Sequence, residues 1–223
     1  MKPIIHRSHR ASLYLIFALL LFFVLIFAIF YSFKILGFTP IQIIVMTFLS
    51  LIGANINIPV ATIRSREPII MLKSYTFFGI ELYVPFYSYE RVTVAVNLGG
   101  ALIPTLASIY LVIIHFNMWF PILISVVISS IFIHAIARPV KGLGIVTPFF
   151  IPPIFAALLG IILGGHMAPV VAYIAGTMGS LIGADLTNLH KLDKLGASFV
   201  SIGGAGIFDG VFLTGLVAAL LTI

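Results

Sequence analysis

Asp185 and Asp209 are the residues of this chain best placed to do chemistry. Both lie inside apolar stretches. A carboxylate in hydrocarbon costs roughly 2.5–3.5 kcal/mol on insertion scales, so such acids tend to mark functional sites. Two carboxyls about 3 Å apart cannot both ionise, so they share a proton, and the pair can then activate water against a peptide carbonyl. Held apart, the same acids could carry protons or bind cations along a transport path. Neutral groups able to contact a substrate accompany them. Ser201, Gly203, Gly204 and Gly206 precede Asp209, Asn188 follows Asp185, and Asn55, Asn97 and Thr105 stand earlier in the chain.

The elements that must hold these groups are membrane helices. The 223 residues are 61% hydrophobic and only 8% charged, and apolar runs near membrane length recur throughout. Spans are expected near 11–33, 41–63, 92–114, 118–137, 146–164, 168–188 and 197–222. The expected fold class is therefore all-α and polytopic, with about seven transmembrane helices, some of them broken, in a single membrane domain over 1–223. Lys2, Arg7, Arg10, Arg64, Arg66, Lys73, Arg91, Arg138, Lys141, Lys191 and Lys194 fall on one side of these spans and only Lys34 on the other. The positive-inside rule then puts the N-terminus in the cytoplasm and the C-terminus outside the cell membrane. The net charge of +6 is a topology signal answered by anionic lipid headgroups, with no nucleic-acid partner implied. The first span exceeds the apolar core of a signal peptide and is expected to remain as a helix.

Asp185 would lie roughly 6 Å from the cytoplasmic end of the sixth span and Asp209 roughly 18 Å into the seventh, about 12 Å apart in depth on ideal helices. Gly203-Gly204-Ala205-Gly206 is poor helix interior. A break through 198–206 would let a helix begin near Ile207, with Asp209 in its first turn, where free N–H groups and the dipole favour an anion. That would bring Asp209 towards Asp185.

Two segments of the chain resemble one another. GFTPIQIIVMTFLSLIGAN (37–55) and GHMAPVVAYIAGTMGSLIGAD (165–185) both end in SLIGA, followed by Asn55 or Asp185. NLGGALIPT (97–105) and SIGGAGIFD (201–209) follow in turn, matching Asn97 to Ser201 and Thr105 to Asp209. This predicts a 3+1+3 parallel repeat: copy one over about 11–115, a linking span over 118–137, and copy two over 146–223. Between the second and third spans, residues 64–91 alternate aromatic and β-branched residues around Phe78-Gly79. They predict a β-hairpin at the cytoplasmic interface, serving as an aromatic anchor or as an edge for an extended peptide.

Through SLIGADLTNL, SIGGAGIFDG and GIVTPFFIPP the chain resembles a prokaryotic membrane family known as a domain of unknown function, the 1614 family, which implies no activity. Over the last two spans it also resembles the GxGD intramembrane aspartyl proteases, a group that includes presenilin, signal peptide peptidase and prepilin peptidase relatives. In that group one aspartate, often followed by Leu, ends an inward-running helix, as Asp185-Leu186 would. The second follows a glycine motif on the next helix, as Asp209 follows Gly206, although the strict Gly-x-Gly-Asp tetrapeptide is absent. The resemblance implies an aspartyl protease-like hydrolase acting on membrane-embedded peptide. A solute or ion transporter, or a non-catalytic assembly protein, remains open on the residues alone.

Other chemistries find little support. The chain has no cysteine, which excludes disulfides and thiolate catalysis. His6, His9, His115, His134, His166 and His190 lack metal-ligand spacing, so no metal and no cofactor is expected. Ser180 has no suitably placed histidine, and Gly176, Gly179 and Gly183 read as a helix-packing face. Asp193, between Lys191 and Lys194, reads as a solvated loop charge.

Overall fold

The computed structural model describes residues 5–66, 69–77, 80–88, 91–141, 144–204 and 210–223. Its helices are α1 (Ile5–Ile35), α2 (Pro40–Gly53), α3 (Ile103–Ile114), α4 (Trp119–Ile136), α5 (Ile151–Gly164), α6 (Ala168–Ser180) and α7 (Gly210–Leu220). Its strands are β1 (Asn57–Arg64), β2 (Ile69–Phe77), β3 (Ile80–Ser88), β4 (Arg91–Asn97), β5 (Arg138–Val140), β6 (Gly144–Val146) and β7 (Phe199–Ile202). Three helical stretches among the described residues are long and apolar enough to cross a membrane: Tyr14–Ile35, Phe116–Ile136 and Ile151–Lys194. The last folds back at Gly165 (φ +53). A Cβ on Gly160 would meet Ala168 and Ala172, and one on Gly164 would meet Val171, so α5 and α6 lie side by side.

α6 is the central helix. Val170 to Thr177 are all buried, and α3, α4, α5 and α7 pack around it. Small residues permit the close approach, as is usual where lipid offers no hydrophobic drive to associate. Gly176 meets Gly215 of α7, Gly179 meets Ser129 of α4, and Gly183 meets Ser130 and His134, as the packing-face reading expects. The main core gathers Tyr173 with Phe33, Leu36, Ile43, Leu111, Phe212 and Leu216. α2 starts on a capping box, Thr39 with Gln42, followed by Pro40.

The fold is mostly helical but not all-α. The spans predict helix through 57–63 and 92–97, and the chain is extended there instead; with the strand at 199–202, inside the expected break, these segments form a sheet of order β1-β4-β7. β1 pairs antiparallel with β4, Asn57 opposite Asn97, and β4 pairs parallel with β7, Ala95 opposite Ser201. NIPVATIR and RVTVAVN are rich in β-branched residues, which favour strands. Pro59 has no N–H for a ladder. It sits on the outer strand where the register shifts between Pro59 and Ala61, and a bulged edge accepts it. The expected hairpin is formed by β2 and β3, with Phe77 opposite Ile80, and β5 and β6 form a smaller one.

Asp193 is not a solvated loop charge. Its Oδ2 pairs with Arg66 Nε at 2.8 Å, its side chain is only 17% exposed, and its carbonyl accepts from the Arg66 N–H at 2.7 Å. This ties the segment after β1 to the 3-10 helical segment Leu186–Lys194, so both lie at one end of the molecule.

Candidate functional site

Both SLIGA segments end beside the sheet. After α2, Ala54 and Asn55 lead into β1. After α6, Leu181–Asp185 forms a π-helical turn whose last residue is Asp185. A second π turn, Leu98–Leu102, follows β4 and is capped by Asn97, whose Oδ1 accepts the Gly100 N–H at 2.7 Å. Single π turns of this kind often sit at functional sites.

These ends enclose a cavity of about 720 Å³, within the roughly 300–1,000 Å³ usual for ligand sites. Its polar wall is Asp185, Asn55, Asn57, Asn97, Ser201, Thr147 and Ser180. The strand segments Gly144–Val146 and Phe199–Ile202 flank it, with Gly204 and Gly210 beside them. Asn97 is 2% exposed and fully engaged, its Nδ2 donating to the Ala54 carbonyl at 2.8 Å and to Asn57 Oδ1 at 3.1 Å. Asn57 Oδ1 also accepts from the Ser201 hydroxyl. One neutral network therefore joins the ends of α2, β1, β4 and β7.

Asp185 Oδ2 accepts the Gly203 N–H at 2.8 Å. Gly203 has φ +69, the left-handed region that favours glycine, and a Cβ there would lie 2.4 Å from that of Ala101. A Cβ on Gly204 would meet the Asn97 side chain at 2.6 Å. The SIGG motif thus packs on the NLGGA motif, and the strand with its positive-φ glycine bears out the expected helix break before Asp209. Asp209 and Gly206 lie outside the described residues. Gly210, bonded to Asp209 and opening α7, lines the cavity, with nothing among the described residues within 4 Å of where its Cβ would stand.

Of the sequence-derived candidates, the cavity therefore gathers Asp185, Asn55, Asn97, Ser201 and Gly204, with Gly203 holding the acid. Thr105, on α3, and Asn188 do not line it. Asn188 is fully buried, its Nδ2 donating to the Gly183 and Ala184 carbonyls at 3.1 and 2.9 Å and its Oδ1 accepting from Lys191 Nζ at 2.6 Å. Three polar lining residues escaped the sequence reading: Asn57, Thr147 and, as a cavity residue, Ser180. Asn57 stood inside a presumed helix. Ser180 is 5% exposed and its hydroxyl has no partner among the described residues. Of the residue pairs matched in the sequence, Asn55 with Asp185 and Asn97 with Ser201 all line this one cavity. No group of three or more His, Cys, Asp or Glu able to hold a metal occurs among the described residues.

The apolar helices and the buried glycine contacts define a helical membrane protein with a polar, acid-bearing cavity. Within that class, the chain belongs to the family described as protein of unknown function DUF1614, whose model matches residues 51–221. No curated protein and no solved structure matches it.

Proposed function

We propose that this protein is an aspartyl protease-like hydrolase of the cell membrane, acting on membrane-embedded or membrane-proximal peptide through Asp185 and Asp209. One observation carries the reading: the Asp185 carboxylate and Gly210, the residue bonded to Asp209, line the same polar cavity. In the proposed reaction the two carboxyls share one proton. The ionised acid takes a proton from water as the water oxygen bonds to the scissile carbonyl carbon, and the other acid protonates the carbonyl oxygen. The C–N bond then breaks and the departing nitrogen takes up a proton, leaving a carboxylic acid and an amine.

The proposal includes seven crossings of the bilayer in one domain, a 3+1+3 parallel repeat, and a cytoplasmic N-terminus with the C-terminus outside. The shared cavity of the matched residues supports the repeat. The Arg66–Asp193 contact supports the topology, because it joins two connections assigned to the cytoplasmic side. Lipid is the surrounding partner.

The test is cleavage of a labelled transmembrane peptide by the purified protein in lipid nanodiscs. Asp185→Asn and Asp209→Asn should each lower the rate by a factor on the order of 10²–10⁴. Undiminished cleavage by either variant removes the dyad. A second reading, passage of a small solute or ion, draws on the neutral Asn57–Asn97–Ser201 network. It becomes the account to keep if nothing is cut while Asp185→Asn abolishes flux into liposomes.

A further inference from the structure

The sheet β1-β4-β7 ends at β7, and β7 flanks the cavity. One side of β7 is taken: the Thr93 N–H donates to the Ser198 carbonyl at 3.0 Å, and the parallel register continues to Val96 opposite Ile202. Along a strand, successive residues turn their N–H and C=O groups to opposite sides. Ser198, Val200 and Ile202 therefore face β4, whereas Phe199, Ser201 and Gly203 face away from it. At Gly203 that outward N–H is held by Asp185. No backbone group among the described residues pairs with the outward peptide groups of Phe199 and Ser201.

We propose that this edge receives an extended peptide segment, which pairs with Phe199 and Ser201 as an added strand and runs past Asp185. The proposal names how the substrate of the site above is held, and it rests on that reading for the peptide's fate. The chemistry favours a peptide because the edge offers donor and acceptor pairs at a two-residue repeat, about 6.6 Å, which another backbone matches along its length. Membrane segments are normally helical and satisfy their own backbone groups, so an unwound segment needs such an edge to replace them. The buried, unpartnered Ser180 hydroxyl supplies a further group in the same cavity. Asp185, fixed to the end of the same strand, would then meet the bound backbone at a defined register.

The probe is a short dye-labelled peptide of alternating valine and threonine with a lysine at each end, titrated by fluorescence anisotropy into the full chain in nanodiscs. Methylating the amide nitrogens of alternate residues removes the donors on one side of the probe strand. One methylated set should bind about tenfold or more weakly, and the complementary set should bind like the parent. Equal binding of both sets, or no binding of the parent, overturns the proposal. Ser201→Pro removes an outward N–H while sparing the groups that face β4, and should weaken binding in the same way. A Ser201→Pro protein that keeps its thermal transition and binds like wild type also overturns it. Asp185→Asn should bind the probe while failing to cleave. Binding that follows the methylation pattern without cleavage by any form would sink the hydrolase reading and leave the strand pairing standing.

Discussion

Asn97 shows how much one side chain can hold together here. It donates to the end of α2 and to Asn57 of β1, and accepts from the π turn that follows β4. Asn97→Ala would remove a cap and leave the part-buried Ala54 carbonyl short of a donor, which is expected to cost about 1–3 kcal/mol. A lowered thermal unfolding midpoint in detergent is the measurement. Asn55→Ala, by contrast, loses one long contact to Leu51 at 3.5 Å from an exposed side chain. Its stability should change by less than about 0.5 kcal/mol, leaving any effect on activity free of a folding defect. Asp185, Asn97, Ser201 and the glycines were legible in the sequence because their motifs recur and because acids and glycine pairs are conspicuous in apolar runs. Asn57 was not. Its role depends on lying opposite Asn97, forty positions away, and register of that kind is set by long-range pairing that no local pattern records.

At the scale of elements, the apolar runs were read correctly as mostly helical and incorrectly as helix through 57–63 and 92–97. A short apolar run flanked by helix cannot be assigned by periodicity alone, and the β-branched content of 57–64 and 91–97 was the available signal. The two π turns were also unreadable, since each is one backbone hydrogen bond out of step within an otherwise helical sequence. Their supports make a prediction possible. The turn Leu181–Asp185 alters the helical bonding of Gly183 and Ala184, and Asn188 donates to both carbonyls. Asn188→Leu should therefore cost about 1–3 kcal/mol and speed amide exchange over 181–188, displacing Asp185 without removing it. Unchanged exchange in that segment would show that the turn holds itself without Asn188.

The whole molecule poses a problem of length. A hydrocarbon core of about 30 Å asks for some 20 helical residues, yet α2 has 14 residues, near 21 Å at the helical rise, and α7 has 11 among the described residues. These helices adjoin strands of one sheet: α2 leads into β1, β4 leads into α3 through the π turn Leu98–Leu102, and α7 follows β7 in the chain. An open sheet edge does not survive in lipid, and β1 is exposed along nearly its whole length. The sheet therefore belongs at a membrane–water boundary, which under the proposed topology is the cytoplasmic one, together with the Arg66–Asp193 pair. The cavity would then open to cytoplasmic water while its floor stays at the level of the helices. The absence of cysteine makes this directly measurable with single thiols placed at exposed positions in an otherwise thiol-free chain. In intact cells a membrane-impermeant maleimide should label Lys34→Cys, Asn117→Cys and His166→Cys, and should reach Arg138→Cys and Lys194→Cys only after permeabilisation. Labelling of Lys34 and Lys194 from the same side would break the seven-crossing arrangement. Outside labelling of Lys194 with none at Lys34 would keep the fold but invert it, carrying the cavity and Asp185 to the opposite face.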